Sequence, residues 1–185
     1  MKVTPLNIPD VLLIEPLVFE DSRGFFFESF REDIFKNETS LNVSFVQDNH
    51  SKSSQGVLRG LHYQLPPHAQ GKLTRVIQGE VLDIAVDIRE SSPTCGQYVA
   101  EILSSDNKKQ LYIPEGFAHG FLTLSHSSEY LYKTTDFYHP QSERCILWSD
   151  VTLNIEWPKD LKIELSSKDH LGQHFKSISL FSCKK

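Results

Sequence analysis

At 185 residues with a formal net charge of -5 at pH 7, the chain is long enough to bury a sizeable core, and one domain over residues 1–185 with no linker is expected. The acidic balance excludes a global attraction to nucleic acid or an anionic membrane surface, so an anionic ligand has to be met by a local basic cluster. Cys95, Cys145 and Cys183 are odd in number, widely spaced and in no CxxC pair, which excludes a disulfide framework or a cysteine-built zinc site and leaves reduced structural thiols.

In chain order, the first strand is predicted over 12–19; its apolar run, Val11 to Ile14, falls far short of the roughly 20 residues of a membrane span. No basic-then-apolar secretory pattern precedes it, so a cytoplasmic protein with no membrane partner is expected. A second strand is predicted over 25–30, then a short helix over 32–36, then strands over 44–49, 56–64 and 72–78. The run Val81-Leu-Asp-Ile-Ala-Val-Asp-Ile88 alternates most clearly: Leu82, Ile84, Val86 and Ile88 share one face, Asp83, Ala85 and Asp87 the other. That acidic face reads either as a solvated outer surface or as a polar barrel interior. Further strands are predicted over 98–103, 110–113, 120–124 and 128–134, with a few helical residues near the C-terminus. Many short, aromatic and β-branched strands broken by turn signals predict an all-β fold, a β-sandwich or the jelly roll that cupins use.

Four segments concentrate chemistry. Gln47-Asp-Asn-His-Ser51 leads to Gly56-Val-Leu-Arg-Gly-Leu-His-Tyr-Gln64, which sets Arg59 and His62 within one strand pattern. Gly71-Lys-Leu-Thr-Arg75 opens a strand on Lys72, and Pro114-Glu-Gly-Phe-Ala-His-Gly-Phe121 delivers His119 from a tight turn. In Tyr130-Leu-Tyr-Lys-Thr-Thr-Asp-Phe-Tyr138, Tyr130 and Tyr132 share a parity and Tyr138 lies past the strand end. Taken singly, each has a structural reading: a hydrogen-bonded strand histidine, an exposed cation, an aromatic stripe.

Pro114-x-Gly116-x-x-His119 resembles the second cupin motif, but Tyr63 and Gln64 follow His62 where a metal-binding cupin carries a second histidine and then a glutamate. Two histidines without those partners fall short of a catalytic ligand set, so no bound metal is expected.

The combination is more specific than its parts. Asp21-Ser-Arg-Gly-Phe25 with Glu28, Gln47-Asp-Asn-His50, Val57-Leu-Arg-Gly-Leu-His-Tyr-Gln64, Ala85-Val-Asp-Ile-Arg89 with Ser92-Pro-Thr94, the Pro114 to Phe121 run, Tyr132-Lys133, Trp157-Pro158 and Leu165-Ser-x-Lys-Asp169 resemble, in order and spacing, the dTDP-4-dehydrorhamnose 3,5-epimerase family from Pro9 to Asp169. Cys95 stands where that family usually has an aromatic and Tyr112 where it often has tryptophan.

The resemblance implies a cupin-type jelly roll, or double-stranded β-helix, with a few short helices. It implies an isomerase of dTDP-L-rhamnose biosynthesis acting on a dTDP-4-keto-6-deoxy sugar without a cofactor. The C4 ketone acidifies the C3 and C5 hydrogens; a base removes one, and a donor returns a proton from the other face. By the resemblance His62 is the base, Asp169 holds its imidazole, Lys72 faces the C4 oxyanion and Tyr132 is the donor. Arg23, Arg59, His119 and Lys168 would form the anion-facing cluster; Phe25, Glu28, Gln47, Asp48, Asn49, Tyr138 and Glu143 would contact nucleotide or sugar. A homodimer is implied as well, with an N-terminal strand crossing to lend a residue such as Arg23. Inversion of one carbon only, 3,4-ketoisomerisation, and a non-catalytic sugar-binding cupin stay open as alternatives.

Overall fold

The computed structural model describes residues 1–182; Cys183 lies outside them. The chain starts with β1 (Lys2–Pro5), β2 (Leu12–Glu15), β3 (Phe19–Asp21) and β4 (Gly24–Phe26), followed by α1 (Glu32–Thr39). The main body comprises β5 (Gln47–Ser54), β6 (Leu58–Gln64), β7 (Lys72–Gln78), β8 (Glu80–Asp87), β9 (Tyr98–Ser104), β10 (Gln110–Ile113), β11 (Phe117–Thr123) and β12 (Ser127–Thr134). After β13 (Glu143–Cys145) come the one-turn helix α2 (Ser167–His170) and a 3-10 turn at Phe175–Ser177.

The strands form a six-stranded sheet in the order β1-β2-β10-β7-β12-β5, a five-stranded sheet in the order β13-β6-β11-β8-β9, and the separate β3–β4 hairpin. Every pairing between named strands is antiparallel. Leu13, Val76, Leu111 and Tyr130 from the first sheet pack with Val81, Ala85, Phe117 and Phe121 from the second. A core enclosed between two antiparallel sheets is the jelly roll expected of a cupin.

Both sheets are also covered outside. Phe35 of α1, with Phe30 and Phe45, packs on Leu12, Ile14, Leu73 and Tyr112. Ile146, Leu153 and Phe181 of the C-terminal segment pack on Ile84, Val86 and Ile88. That cover buries both faces of β8, so its alternation separates two interiors rather than core from solvent. Asp83 and Asp87 are both fully buried.

Several boundaries differ from expectation. The first predicted strand breaks after Glu15 because Pro16 offers no ladder donor. The predicted 44–49 strand instead spans Gln47–Ser54 as the polar edge of its sheet, and β11 begins at Phe117, ahead of the expected 120. β1 and β13 were not anticipated, being too short to display a period.

Strands β6 and β11 approach closely at two glycines. A Cβ on Gly60, at φ +143°, would sit 2.5 Å from the Gly120 Cα, and one on Gly120 would sit 2.8 Å from the Arg59 carbonyl oxygen. The ladder shifts register there, between His119 and Phe121, with His119 opposite His62. Side-chain-free backbone at this crossing lets the two histidine-bearing strands meet. Among the described residues no helix is long and apolar enough to cross a membrane.

Candidate active site

A cavity of about 530 Å³ opens at one end of the jelly roll, between the sheets and beside the segment leading into α2. His62 reaches it from β6, Lys72 from β7, His119 from β11 and Tyr132 from β12. His62 and Tyr132 therefore come from different sheets.

Asp169 is delivered by α2, whose N-cap Ser166 accepts a hydrogen bond from the Asp169 backbone N–H at 3.2 Å. The Ser166 hydroxyl donates to Asp169 Oδ2 at 2.8 Å, and Asp169 Oδ1 lies 2.5 Å from His62 Nε2. Asp169 is buried and His62 half-buried. Burial pushes the Asp169 carboxyl pKa up, but the His62 hydrogen bond and charge, the Ser166 hydroxyl and the Lys168 charge together hold it below the ordinary value. Asp169 is thus kept ionised beside an imidazole that it can orient and whose positive charge it can stabilise.

Lys72 is buried, with Nζ 3.3 Å from the His62 carbonyl oxygen. Burial lowers its pKa to about 8, against the opposing pull of Asp83 and Glu143. Such an ammonium is cationic at neutral pH, yet poorly solvated. Burial and the Glu143 charge raise the Tyr132 phenol above its ordinary range, so it carries its proton at neutral pH.

Behind the cavity wall, His119 and Tyr130 join a buried polar cluster whose hub, Asp83, sequence reasoning did not assign. Asp83 Oδ1 lies 2.7 Å from His119 Nε2, and Oδ2 accepts from the Tyr130 hydroxyl and from Thr74 Oγ1, the latter at 3.1 Å. Burial first, then the Lys72 charge, lowers the His119 pKa despite Asp83. The signal for Asp83 was its parity within β8, which identified a shared face without saying that it points inward. Ser51 Oγ and Tyr63 Oη are buried without a hydrogen-bond partner among the described residues.

At the rim, Glu143 accepts from the Tyr138 hydroxyl at 2.7 Å and pairs with Lys168. Arg59 lines the cavity while donating to Ser53 Oγ and the Lys52 carbonyl. Six expected residues do not line it: Arg23, Phe25, Glu28, Gln47, Asp48 and Asn49. Gln47 borders it indirectly, accepting from the Tyr138 backbone N–H at 3.0 Å and donating to Asn49 at 2.9 Å, while Asp48 pairs with Lys133. Glu28 pairs with Arg31, and Phe25 lies under the Lys108 ammonium, 4.0 Å from its ring centre. Arg23, at the tip of the β3–β4 hairpin, is exposed and paired with Asp21.

Among the described residues, one group of side chains has metal-ligand spacing: a ring nitrogen of His62, Cys145 Sγ and an Asp169 carboxylate oxygen lie within 4.8 Å of one another. Cys95 and Cys145 are free thiols.

A sequence model of the family described as dTDP-4-dehydrorhamnose 3,5-epimerase matches residues 5–177. The chain is 58% identical over 181 residues to the dTDP-4-dehydrorhamnose 3,5-epimerase of Shigella flexneri, covering 98% of this chain and 99% of that one. The crystal structure of a dTDP-6-deoxy-D-glucose-3,5-epimerase from Legionella pneumophila in complex with dTDP-4-keto-L-rhamnose superposes with a TM-score of 0.95 at 45% identity, covering 100% and 99% of the two chains. ChmJ, a 3'-monoepimerase from Streptomyces bikiniensis in complex with dTDP-quinovose, gives a TM-score of 0.89 at 30% identity, covering 94% and 87%.

Proposed function

The chain belongs to the dTDP-4-dehydrorhamnose 3,5-epimerase family, and from that premise we propose that it inverts C3 and C5 of dTDP-4-dehydro-6-deoxy-D-glucose to give dTDP-4-dehydro-L-rhamnose. The observation that carries the reading is the His62–Asp169 pair on one sheet's side of a cavity whose other sheet supplies Lys72 and Tyr132.

With its Nε2–H held by Asp169, His62 takes the proton from the carbon next to the C4 ketone on its other ring nitrogen, Nδ1, and Asp169 stabilises the imidazolium formed. The electron pair moves into the C3–C4 or C4–C5 bond as the C4 oxygen becomes an oxyanion. Lys72 stabilises that oxyanion; a positioned cation in a water-poor site is worth on the order of 3–4 kcal/mol, as one oxyanion-hole donor is. Tyr132 gives its proton to the opposite face of the same carbon, which inverts it. The hydrogen leaves and returns as a proton, so the sequence needs no redox cofactor.

Arg59, Lys168, Tyr138 and Glu143 at the rim suit the nucleotide diphosphate and its sugar. Residues 1–185 act as one domain, and the free thiols Cys95 and Cys145 suit a reducing cytoplasm. The active unit is a homodimer. Supporting it are Leu17, Phe19, Phe25 and Phe26 on and beside the β3–β4 hairpin, exposed at 61%, 57%, 59% and 67%, a concentration of apolar surface typical of an interface. The same hairpin carries Arg23, which would complete the neighbouring subunit's anion site.

Incubation of the keto sugar nucleotide with the enzyme in deuterated water, followed by NMR, tests the reaction. Deuterium at both C3 and C5 with the L-rhamno configuration is expected. Label at C3 alone would place the chain with the monoepimerases, and an unlabelled sugar would leave only a binding role.

A further inference from the structure

We propose that His62, Cys145 and Asp169 form a site for a soft divalent cation such as Zn²⁺, and that occupation of this site switches the enzyme off.

The donors are three chemically different groups already gathered at one point. Cys145 lies directly opposite His62 in the β13–β6 ladder. Its Sγ is 3.9 Å from Asp169 Oδ1, which is itself 2.5 Å from His62 Nε2. Tetrahedral zinc with bonds of roughly 2.0–2.3 Å sets its donors about 3.3–3.6 Å apart. The sulfur–oxygen edge is near that already, and the nitrogen–oxygen edge must open by about 1 Å to admit the ion.

Little resists the opening. Among the described residues Asp169 is the hydrogen-bond partner of the His62 ring, so the imidazole turns without breaking a second contact. Asp169 is anchored through Oδ2 by Ser166, which leaves Oδ1 free to ligate. The thiol donates toward the Gly60 and Ile146 carbonyls at 3.6 and 3.5 Å, and burial pushes its pKa up to about 12, so these weak sulfur hydrogen bonds and the thiol proton are what the metal must displace.

On binding, the sulfur–hydrogen bond is replaced by a sulfur–metal bond and one proton passes to water. His62 ligates through the Nε2 lone pair with its ring proton on Nδ1. The fourth position faces the cavity and takes water, the arrangement of a site with three protein ligands. Thiolate and imidazole favour zinc or cobalt over Mg²⁺ or Ca²⁺, which require oxygen donors.

The loss of activity rests on the reading of His62 as the base, because an imidazole that ligates through Nε2 carries its ring proton on Nδ1, the nitrogen that would otherwise accept the substrate's proton. The binding itself does not rest on it. The test therefore has two readouts, cobalt spectroscopy and turnover, on the wild-type enzyme and on Cys145→Ser and Cys145→Ala. Co²⁺ should give the wild type a near-ultraviolet thiolate-to-cobalt charge-transfer band that both variants lack. Zn²⁺ should inhibit the wild type, reversibly by chelator, while Mg²⁺ should not. Half-inhibition in either variant should need at least about tenfold more Zn²⁺, since losing even a supporting contact typically costs 10–100-fold in affinity. No thiolate band in the wild type, or equal zinc sensitivity in wild type and variants, overturns the site. Absence of the band in the wild type overturns the site even if both variants fail to fold, and its presence is assigned to Cys145 by whichever variant folds, because Cys95 is also a free thiol. A band with undiminished turnover supports the site and removes His62 from the role of base.

Discussion

The imidazole of His62 and the carboxylate of Asp169 stand 2.5 Å apart across 107 positions of chain, joined by a strand of one sheet and a one-turn helix near the C-terminus. A buried carboxylate fixed at its other oxygen by Ser166 is placed to orient the ring and to stabilise a positive charge on it. Replacement of His62 by Ala should lower turnover by roughly 10²–10⁴-fold, the usual contribution of a positioned general base. Asp169→Asn keeps the shape but withdraws the negative charge, and should lower kcat with little change in KM. Steady-state kinetics on both variants are the check, and a near-normal His62→Ala enzyme would end the assignment.

Lys72 supplies the pH dependence. Its folded pKa, lowered by burial to about 8, means that the Lys72 cation is lost as pH rises through that value, so on the proposal that it faces the oxyanion kcat/KM should fall on the alkaline side. Stability should move the other way. The unfolded chain keeps this proton up to the ordinary lysine pKa of about 10.4, so between about 8 and 10.4 it binds more protons than the folded state, and Lys72's contribution makes folding more favourable as pH rises. A reversible loss of rate without loss of structure would separate titration from denaturation. A pH–rate profile flat to about pH 10 would exclude the role, because Lys72 would by then be uncharged.

How far these relationships could be read from the sequence depends on the element. The alternation in β8 exposed two faces but not which of them lay inside, because Ile146, Leu153 and Phe181 cover the face that a simple sandwich would leave to water. Asp83 was consequently visible as a position and not as the hub of a cluster. Strand β5 runs through a polar stretch, Gln47–Ser54, whose pairing depends on β12 rather than on any pattern of its own. The dyad was legible only through family resemblance, since no local spacing links position 62 to position 169. The resemblance implied that Arg23 serves a neighbouring subunit, in keeping with its place outside the cavity, but it could not show that Cys145 would stand beside the dyad.

Tyr132 enters from the sheet that does not carry His62, and burial together with Glu143 keeps its phenol protonated. Tyr132→Phe should leave proton removal largely intact while slowing return from the opposite face. Deuterium should then wash into the substrate faster than inverted product accumulates, which time-resolved NMR in deuterated water would reveal. Unchanged rate and stereochemistry would rule the phenol out as donor.

Asp83 joins β8 to the opposing sheet through Tyr130 and Thr74, and to β11 through His119. Asp83→Ala leaves three buried polar groups without this partner; at about 1–3 kcal/mol for each buried group left unsatisfied, and with Thr74 and Tyr130 keeping second partners in the Leu111 carbonyl and His119, the loss is about 3–5 kcal/mol. For a chain of this size that corresponds to a fall in Tm of roughly 6–20 °C, at about 2–4 °C per kcal/mol. Asp83→Asn retains an acceptor for Tyr130 and Thr74 and should lose less. Thermal unfolding followed by circular dichroism is sufficient, and equal melting points for wild type and the alanine variant would show that the cluster does not hold the sheets together.

Arg23 provides the test of the shared site. It sits exposed at the tip of a hairpin rich in exposed aromatics, paired only with Asp21 among the described residues and outside the cavity of its own subunit. If the hairpin reaches across a two-fold interface, an Arg23→Ala subunit damages its neighbour's site and a His62→Ala subunit damages its own. A mixed dimer then has one site carrying both lesions and one carrying neither. Random exchange of subunits from an equal mixture makes half the dimers mixed, so about a quarter of the wild-type sites should be restored from two inactive preparations. Mixing after partial denaturation and refolding, with activity measured against each variant alone, gives the answer. Activity that never exceeds the average of the two parents would confine Arg23 to a role within its own subunit.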